Sequence, residues 1–232
     1  MNQIGKKFYY SLLMISLVGI GYSLYFLIIQ VNDYAVAQHK YGEIKTMYHQ
    51  QERSLENINE DYIGWISIEN TSIDYPVVLS SDNQYYLDHN FYQEEDFVGS
   101  IFMDYRNSVN PMDQHTIIYG HNMKDKSMFG SLSDIINDPS FADYQIKLEV
   151  DGKLYVWEIF SAYVSTKTDW MQVFFQTPTA YDDFLENILD SSMQPSSQDL
   201  NKMDRIITLA TCTTNGIDER FIVHGKLVEE SS

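Results

Sequence analysis

The stretch FYYSLLMISLVGIGYSLYFLIIQV, Phe8 to Val31, contains no charged residue. As a helix it reaches about 36 Å, enough to cross a hydrocarbon core of about 30 Å with some tilt. Lys6 and Lys7 precede it and Asp33 follows. The positive-inside bias therefore places the N-terminus in the cytoplasm and everything after Val31 outside. The competing reading is a signal peptide cleaved near Ala35–Ala37. The apolar run exceeds the ~7–15 residues of such a segment, so an uncleaved signal anchor is expected. No later stretch is apolar enough to span, and the chain closes on KLVEESS with no second anchor. The expected organisation is a cytoplasmic tail (1–7), a transmembrane signal anchor (8–31), a membrane-proximal helical segment (32–61) and an extracellular domain (62–232).

All 33 acidic residues lie beyond Val31, with 13 of the 15 basic ones. A surface of this sign repels nucleic acid and anionic lipid, so no nucleic-acid partner is expected. It tolerates cationic or amine-bearing partners, although solubility alone also accounts for it. There is a single cysteine, Cys212. An external protein usually spends cysteine on disulfides, and one cysteine cannot form an internal bridge. It is a buried small hydrophobe, half of an intermolecular bridge, or a nucleophile.

Residues 39–62 carry one apolar stripe, with Ile44, Met47, Tyr48, Leu55 and Ile58 at helical spacing, and predict one or two helices. From Gly64 the period shortens to two. Strands are predicted over 65–68, 73–78, 99–104, 115–120, 144–150, 153–164, 205–211 and 220–228, with Asp151–Gly152 as a hairpin turn. Eight strands with short links predict a mainly β fold, a closed or nearly closed barrel. Two helices interrupt them. One covers 127–137. The other covers 179–192, with Thr179 and Asp182 in a capping-box-like arrangement, and is inserted just before the cysteine strand.

A cysteine nucleophile needs a proton donor for the leaving group and a positive or N–H group for the oxyanion. Of six histidines, His39 and His49 fall in the membrane-proximal segment and read as solvated. His89 lies in a polar loop, His115 starts a strand, and His224 sits inside the last strand as packing or surface. His121 directly follows the apolar strand TIIYG, on a loop held by a rigid element, where catalytic side chains tend to sit. Its alternative is a turn histidine. Cys212 ends its own strand, and Arg220 opens the next. If the TTNGIDE connection, with its Asn215–Gly216 turn pair, makes a hairpin, guanidinium and sulfur lie side by side. The alternative for Arg220 is an ion pair with Glu219 or Asp218. One cysteine with no histidine pair at ligand spacing argues against a metal site, and no cofactor is expected.

TLATC followed shortly by an arginine, with YGHNM upstream, resembles the sortase family of cysteine transpeptidases. GWISI, IDYPVV, DNQYYL, GSIFMD and YGHNMKDKSMF are similar to class B blocks, in the right order over residues 62–228. The resemblance implies a sortase-like closed β-barrel of seven or eight strands, N-terminal helices, a helix inserted before the cysteine strand, and one N-terminal transmembrane helix. It implies Cys212 as nucleophile, His121 as general acid/base and Arg220 as oxyanion and substrate contact. The implied partners are surface proteins or pilins with a C-terminal sorting motif, and an amine from a peptidoglycan cross-bridge or a pilin lysine. The implied setting is the plasma membrane of a Gram-positive-type cell. Thr211 is expected to orient the site or touch substrate, whereas Thr208 and Leu209 read as strand and core. Asn122 either binds substrate or caps the following helix. Trp170 and Phe174–Phe175 either line the motif pocket, whose walls are expected from 164–180, or serve the core.

The chain departs from the pilus-building class C pattern. There is no second membrane segment, and its one Asp-Pro, Asp138–Pro139, is mid-domain and followed by Ser140, although TCTTNGID resembles the class C stretch after the cysteine. Some class B members also polymerise pilins. A papain-like peptidase is disfavoured because there the cysteine precedes the histidine and opens a helix. An L,D-transpeptidase differs around its cysteine. An inactive sortase-like binding module is the non-enzymatic alternative.

Overall fold

The computed structural model describes residues 3–52, 54–109, 113–195, 198–212 and 219–231. A helix, α1 (Gln3–Gln50), opens the chain. It carries a segment apolar and long enough to cross a membrane, with a mean hydropathy of 2.3 in its most apolar window. Ile15, Val18 and Ile28 leave most of their surface exposed. Two compact units divide the chain, Met1–Glu43 and Ile44–Ser232. After Val31 the chain stays helical. It continues α1 to Gln50 and then makes a 3-10 turn at Leu55–Asn57, because no proline or capping sequence interrupts the first 50 residues.

Eight strands follow: β1 (Tyr62–Ile68), β2 (Asp74–Val78), β3 (Ile101–Met103), β4 (His115–Tyr119), β5 (Gln145–Val150), β6 (Lys153–Ser165), β7 (Ile206–Cys212) and β8 (Arg220–Ser231). They close a barrel in the order β1-β2-β3-β4-β7-β8-β6-β5. Pairing is antiparallel except for β2 with β3 and β4 with β7. Asp151 and Gly152 both take positive φ, 51° and 72°, the backbone a two-residue hairpin requires between β5 and β6. The last turns of α1 grip β1 and β2. Tyr48 stacks on Trp65 at 4.0 Å between centroids. Asp74 accepts from Trp65 Nε1 at 2.5 Å and lies 3.0 Å from His49 Nε2, so His49 is half-exposed but partnered.

Both interposed helices differ from their sequence readings at the N-terminus. The helix expected from 127 begins only at Leu132, as α2 (Leu132–Asn137), because Lys126 and Met128 have φ of 66° and 51°, which no helix accommodates. The next, α3 (Pro178–Asp190), is capped by Thr177 rather than by Thr179. The Thr177 hydroxyl accepts from the Ala180 N–H at 3.1 Å, and Pro178 presets the first helical φ. Its face of Tyr181, Phe184, Leu185 and Ile188 packs with Phe160 of β6 and Ile206 of β7. The long β6–β7 connection thus covers the outside of the barrel.

This covered face holds two fully buried histidines. His115 Nδ1 lies 2.7 Å from Gln172 O, and its Nε2 lies 2.6 Å from Thr208 Oγ1. Thr208 Oγ1 lies 2.8 Å from His224 Nδ1, and His224 Nε2 lies 3.0 Å from the Tyr163 hydroxyl. Thr208 is therefore core, as its sequence suggests, but it is hydrogen-bonded core. Burial holds the His115 imidazole down at about 4 and the His224 imidazole well below its usual range. Both rings are neutral in the fold, whereas in the unfolded chain they protonate near pH 6.5.

Two consequences are measurable by chemical denaturation. Phe184→Ala, which empties a site packed against Phe175, Tyr181 and the His115 ring, is expected to cost about 3–5 kcal/mol. Because the unfolded state takes up the histidine protons first, stability is expected to fall as pH drops from about 6.5 towards 4. A pH-independent unfolding midpoint across that window contradicts the buried neutral pair.

Candidate functional site

The register of three adjacent strands builds one edge of the barrel. Parallel pairing sets Tyr119 of β4 beside Ala210 of β7, and the Gly120 N–H donates to Ala210 O at 3.2 Å. His121 and Cys212 each lie two residues beyond that pair. Antiparallel pairing sets Cys212 opposite Arg220 of β8. Histidine, cysteine and arginine, 91 and eight residues apart in sequence, therefore emerge at the same edge. The Asn215–Gly216 turn and Asp218 lie outside the described residues.

His121 is half-buried, and its Nε2 lies 2.6 Å from the Leu87 carbonyl. A carbonyl only accepts, so Nε2 carries the proton and Nδ1 is the nitrogen left to exchange one. The backbone of Gly99 passes close to the Leu87 carbonyl. Gly99, at φ +60°, lies so near that a Cβ there would sit 2.7 Å from Leu87 O and 3.0 Å from His121 Cδ2. A side chain at position 99 would thus meet both strain and collision.

A cleft of about 500 Å³ opens at this edge. His121, Thr211 and Arg220 line it together with Asn83, Leu87 and Tyr119, and Thr166–Thr168 with Trp170 and Met171 contribute a wall. The wall falls inside the segment expected for it. Trp170 serves both roles considered for it. It lines the cleft, yet it is 1% exposed and packs with Ile117, Tyr163, Val173, Ala210 and Ile222. Its indole N–H donates to Lys167 O at 2.7 Å, which keeps the buried nitrogen satisfied. Phe174 is exposed, and Phe175 packs on Tyr181 of α3. Thr211 is buried. Asn122 is not brought to the cleft lining. It bridges to Met128 in the turn before α2, and Ser131 occupies the N-cap position of that helix.

The sequence reading overlooked the carboxylate behind the cleft. Asp104 is fully buried and accepts from Arg106 Nε at 2.8 Å and Nη2 at 2.7 Å, from the Tyr119 hydroxyl at 2.9 Å and from Asn83 Nδ2 at 2.9 Å. Arg106 also donates to Met171 O at 3.0 Å. One ion pair thereby anchors lining residues from three separate segments. Burial alone pushes the Asp104 carboxyl up, but the Arg106 guanidinium and the other donors outweigh it and hold it below the usual carboxylate range. The sequence signal was slight: an acid ending an apolar strand, with an arginine two residues on.

The comparisons with known proteins agree with this architecture. A sortase-domain family model matches residues 66–228. Sortase B of Listeria monocytogenes is 42% identical over 181 residues, covering 76% of this chain and 73% of that protein. Sortase B of Staphylococcus aureus is 33% identical over 208 residues, covering 86% and 85%. The crystal structure of sortase B from Bacillus anthracis superposes with a TM-score of 0.79 at 35% identity, covering 85% of this chain and 98% of that one. With its motifs at one barrel edge, its eight-strand closure and these relatives, the chain belongs to the sortase family of cysteine transpeptidases, among the class B sortases.

Proposed function

We propose that Cys212 is the nucleophile, His121 the general acid/base and Arg220 the oxyanion and substrate contact of a membrane-anchored transpeptidase. The observation that carries this reading is the strand register. Cys212 is the pair partner of Arg220, and His121 ends the strand parallel to the one Cys212 ends. The Cys212 thiolate attacks the carbonyl carbon of a peptide bond in a C-terminal sorting motif, forming the S–C bond and pushing the π pair onto oxygen. Arg220 stabilises that oxyanion. On collapse the C–N bond breaks, His121 delivers a proton to the departing amine, and a thioester remains. A second amine then attacks the thioester carbon. His121 takes its proton, and the thiolate leaves, restoring the enzyme.

The donor is a surface protein carrying the motif, and the acceptor is a peptidoglycan cross-bridge amine. Residues 8–31 hold the enzyme in the plasma membrane with the N-terminus cytoplasmic and the barrel outside. Thr211, which lines the cleft with Arg220, contacts the substrate, and Trp170 forms part of the wall against the motif. The exposed apolar length of α1 supports the anchor, since a helix so apolar needs lipid or a partner around it.

The test is turnover of quenched LPxTG-like and NPxTN-like peptides, with and without triglycine or a pilin-like lysine peptide, read by mass spectrometry. Cys212→Ala is expected to abolish cleavage, and near-normal turnover ends the thiol mechanism. His121→Ala is expected to lower kcat by about 10²–10⁴ and Arg220→Ala by about 10²–10³. An amide with triglycine supports wall anchoring, an amide with the lysine peptide alone indicates pilin joining, and hydrolysis without amide contradicts transfer. Asp104→Asn removes the charge that holds Arg106 while keeping the shape. It is expected to raise KM about tenfold with kcat little changed, because it loosens lining residues rather than reacting groups.

A further inference from the structure

The four contacts through His115 and His224 admit one arrangement of hydrogens when both rings are neutral. Gln172 O only accepts, so His115 carries its proton on Nδ1. His115 Nε2 then accepts from the Thr208 hydroxyl. With its hydrogen so placed, the Thr208 oxygen accepts from His224 Nδ1–H. His224 Nε2 in turn accepts from the Tyr163 O–H. The result is a one-way chain, Tyr163 to His224 to Thr208 to His115 to Gln172, with every donor and acceptor matched. Thr208 is its hub, because it alone both gives and receives between the two rings.

The placement of this chain bears on the reaction. Its members stand on the three strands that end at the active edge: His115 on β4, Thr208 on β7, His224 on β8. Thr208 and His224 are register partners, as Cys212 and Arg220 are, and on the same face the pair Ala210–Ile222 lies between them. Ile117 of β4 packs with Ala210 and Ile222 in that intermediate layer. Counting along the strands, the polar layer lies four residues below Cys212 and Arg220, about 13 Å at strand rise. The chain also extends past the three strands. Tyr163 belongs to β6, and Gln172 adjoins Met171 in the cleft wall, so barrel and wall are joined through one hydroxyl.

We infer that Thr208 is a positioning residue for catalysis, whose hydroxyl, through His115 and His224, locks β4, β7 and β8 in the mutual register that brings His121, Cys212 and Arg220 together. Backbone ladders alone leave strands free to shear and twist by fractions of an ångström. A directed side-chain chain across three strands restricts that freedom, and misplacement of reacting groups by about 1 Å is enough to cost about 100-fold in rate. The inference rests on the catalytic reading above. A valine at 208 fills the same space without the hydroxyl, and a serine keeps the hydroxyl without the methyl.

The experiment compares full-length Thr208→Val, Thr208→Ser and Cys212→Ala with wild type in detergent, on whichever quenched sorting peptide the wild type cleaves, at a temperature well below each melting point. Thr208→Val is expected to lose about tenfold or more in kcat with KM within about twofold, and Thr208→Ser to recover most of it. A valine variant that melts earlier but keeps wild-type kcat overturns the inference and leaves Thr208 a stability residue. So does a loss expressed in KM alone, or a serine variant as slow as the valine one. Should Thr208→Val not fold, His115→Phe removes the acceptor of the Thr208 hydroxyl and so the side-chain link between β4 and β7, and an unchanged kcat there overturns the inference equally. Turnover in Cys212→Ala would instead defeat the catalytic reading itself. An inactive Cys212→Ala beside a fully active Thr208→Val defeats only the positioning role.

Discussion

The parallel pairing of β4 with β7 is the constraint on which the site depends. Antiparallel neighbours can be joined by a tight turn, but parallel neighbours must be joined by a chain that returns to the starting end of the sheet. Here the return takes residues 120 to 205 and includes α2, β5, β6 and α3. That length places His121 and Cys212 at the same end of neighbouring strands, which no short connection would do. It also supplies the segment that covers the outer face of β7, so a strand buried from Ile206 to Thr211 can be apolar almost throughout.

The same connection explains why the cleft wall is firm. Residues 166–172 have only a single 3-10 turn, Asp169–Met171, for secondary structure. Their order comes from side chains and carbonyls. The Trp170 indole packs in the core and donates to Lys167 O, Met171 O receives Arg106, and Gln172 O receives His115. The Lys167 carbonyl is met from within the segment, whereas those of Met171 and Gln172 are met by donors from other parts of the chain.

Two buried polar clusters brace the strands that lead to the cleft. Asp104 collects donors from its own loop, from β4 and from the segment before the Tyr85–Leu87 turn, while Thr208 and the two histidines cross-link β4, β7 and β8. Replacing such groups by hydrocarbon of equal shape is often tolerable for stability, so the gain from a buried charge or imidazole is geometric definition more than free energy. The arrangement suits a transpeptidase. Such an enzyme must hold its substrate in one orientation through two successive acyl transfers at the same carbon.

The strand pattern was legible from residues alone because burial on one face or two imprints alternation or apolar runs, and Asp151–Gly152 could be read as a turn because its positive φ values suit few other pairs. Helix starts were less legible. The cap at Thr177 depends on where the chain leaves β6, and the late start of α2 depends on left-handed residues that no periodicity reveals. TLATC, YGHNM and Arg220 pointed to one chemistry through their resemblance to a known family, and the apolar run pointed to one membrane segment, since short motifs and spanning lengths are local properties. Only the folded chain decided that β4 runs parallel to β7, that Asn83, Tyr119 and Met171 meet at Asp104, and that His115 and His224 face one threonine. Those contacts join residues distant in sequence through barrel closure, which local spacing does not encode.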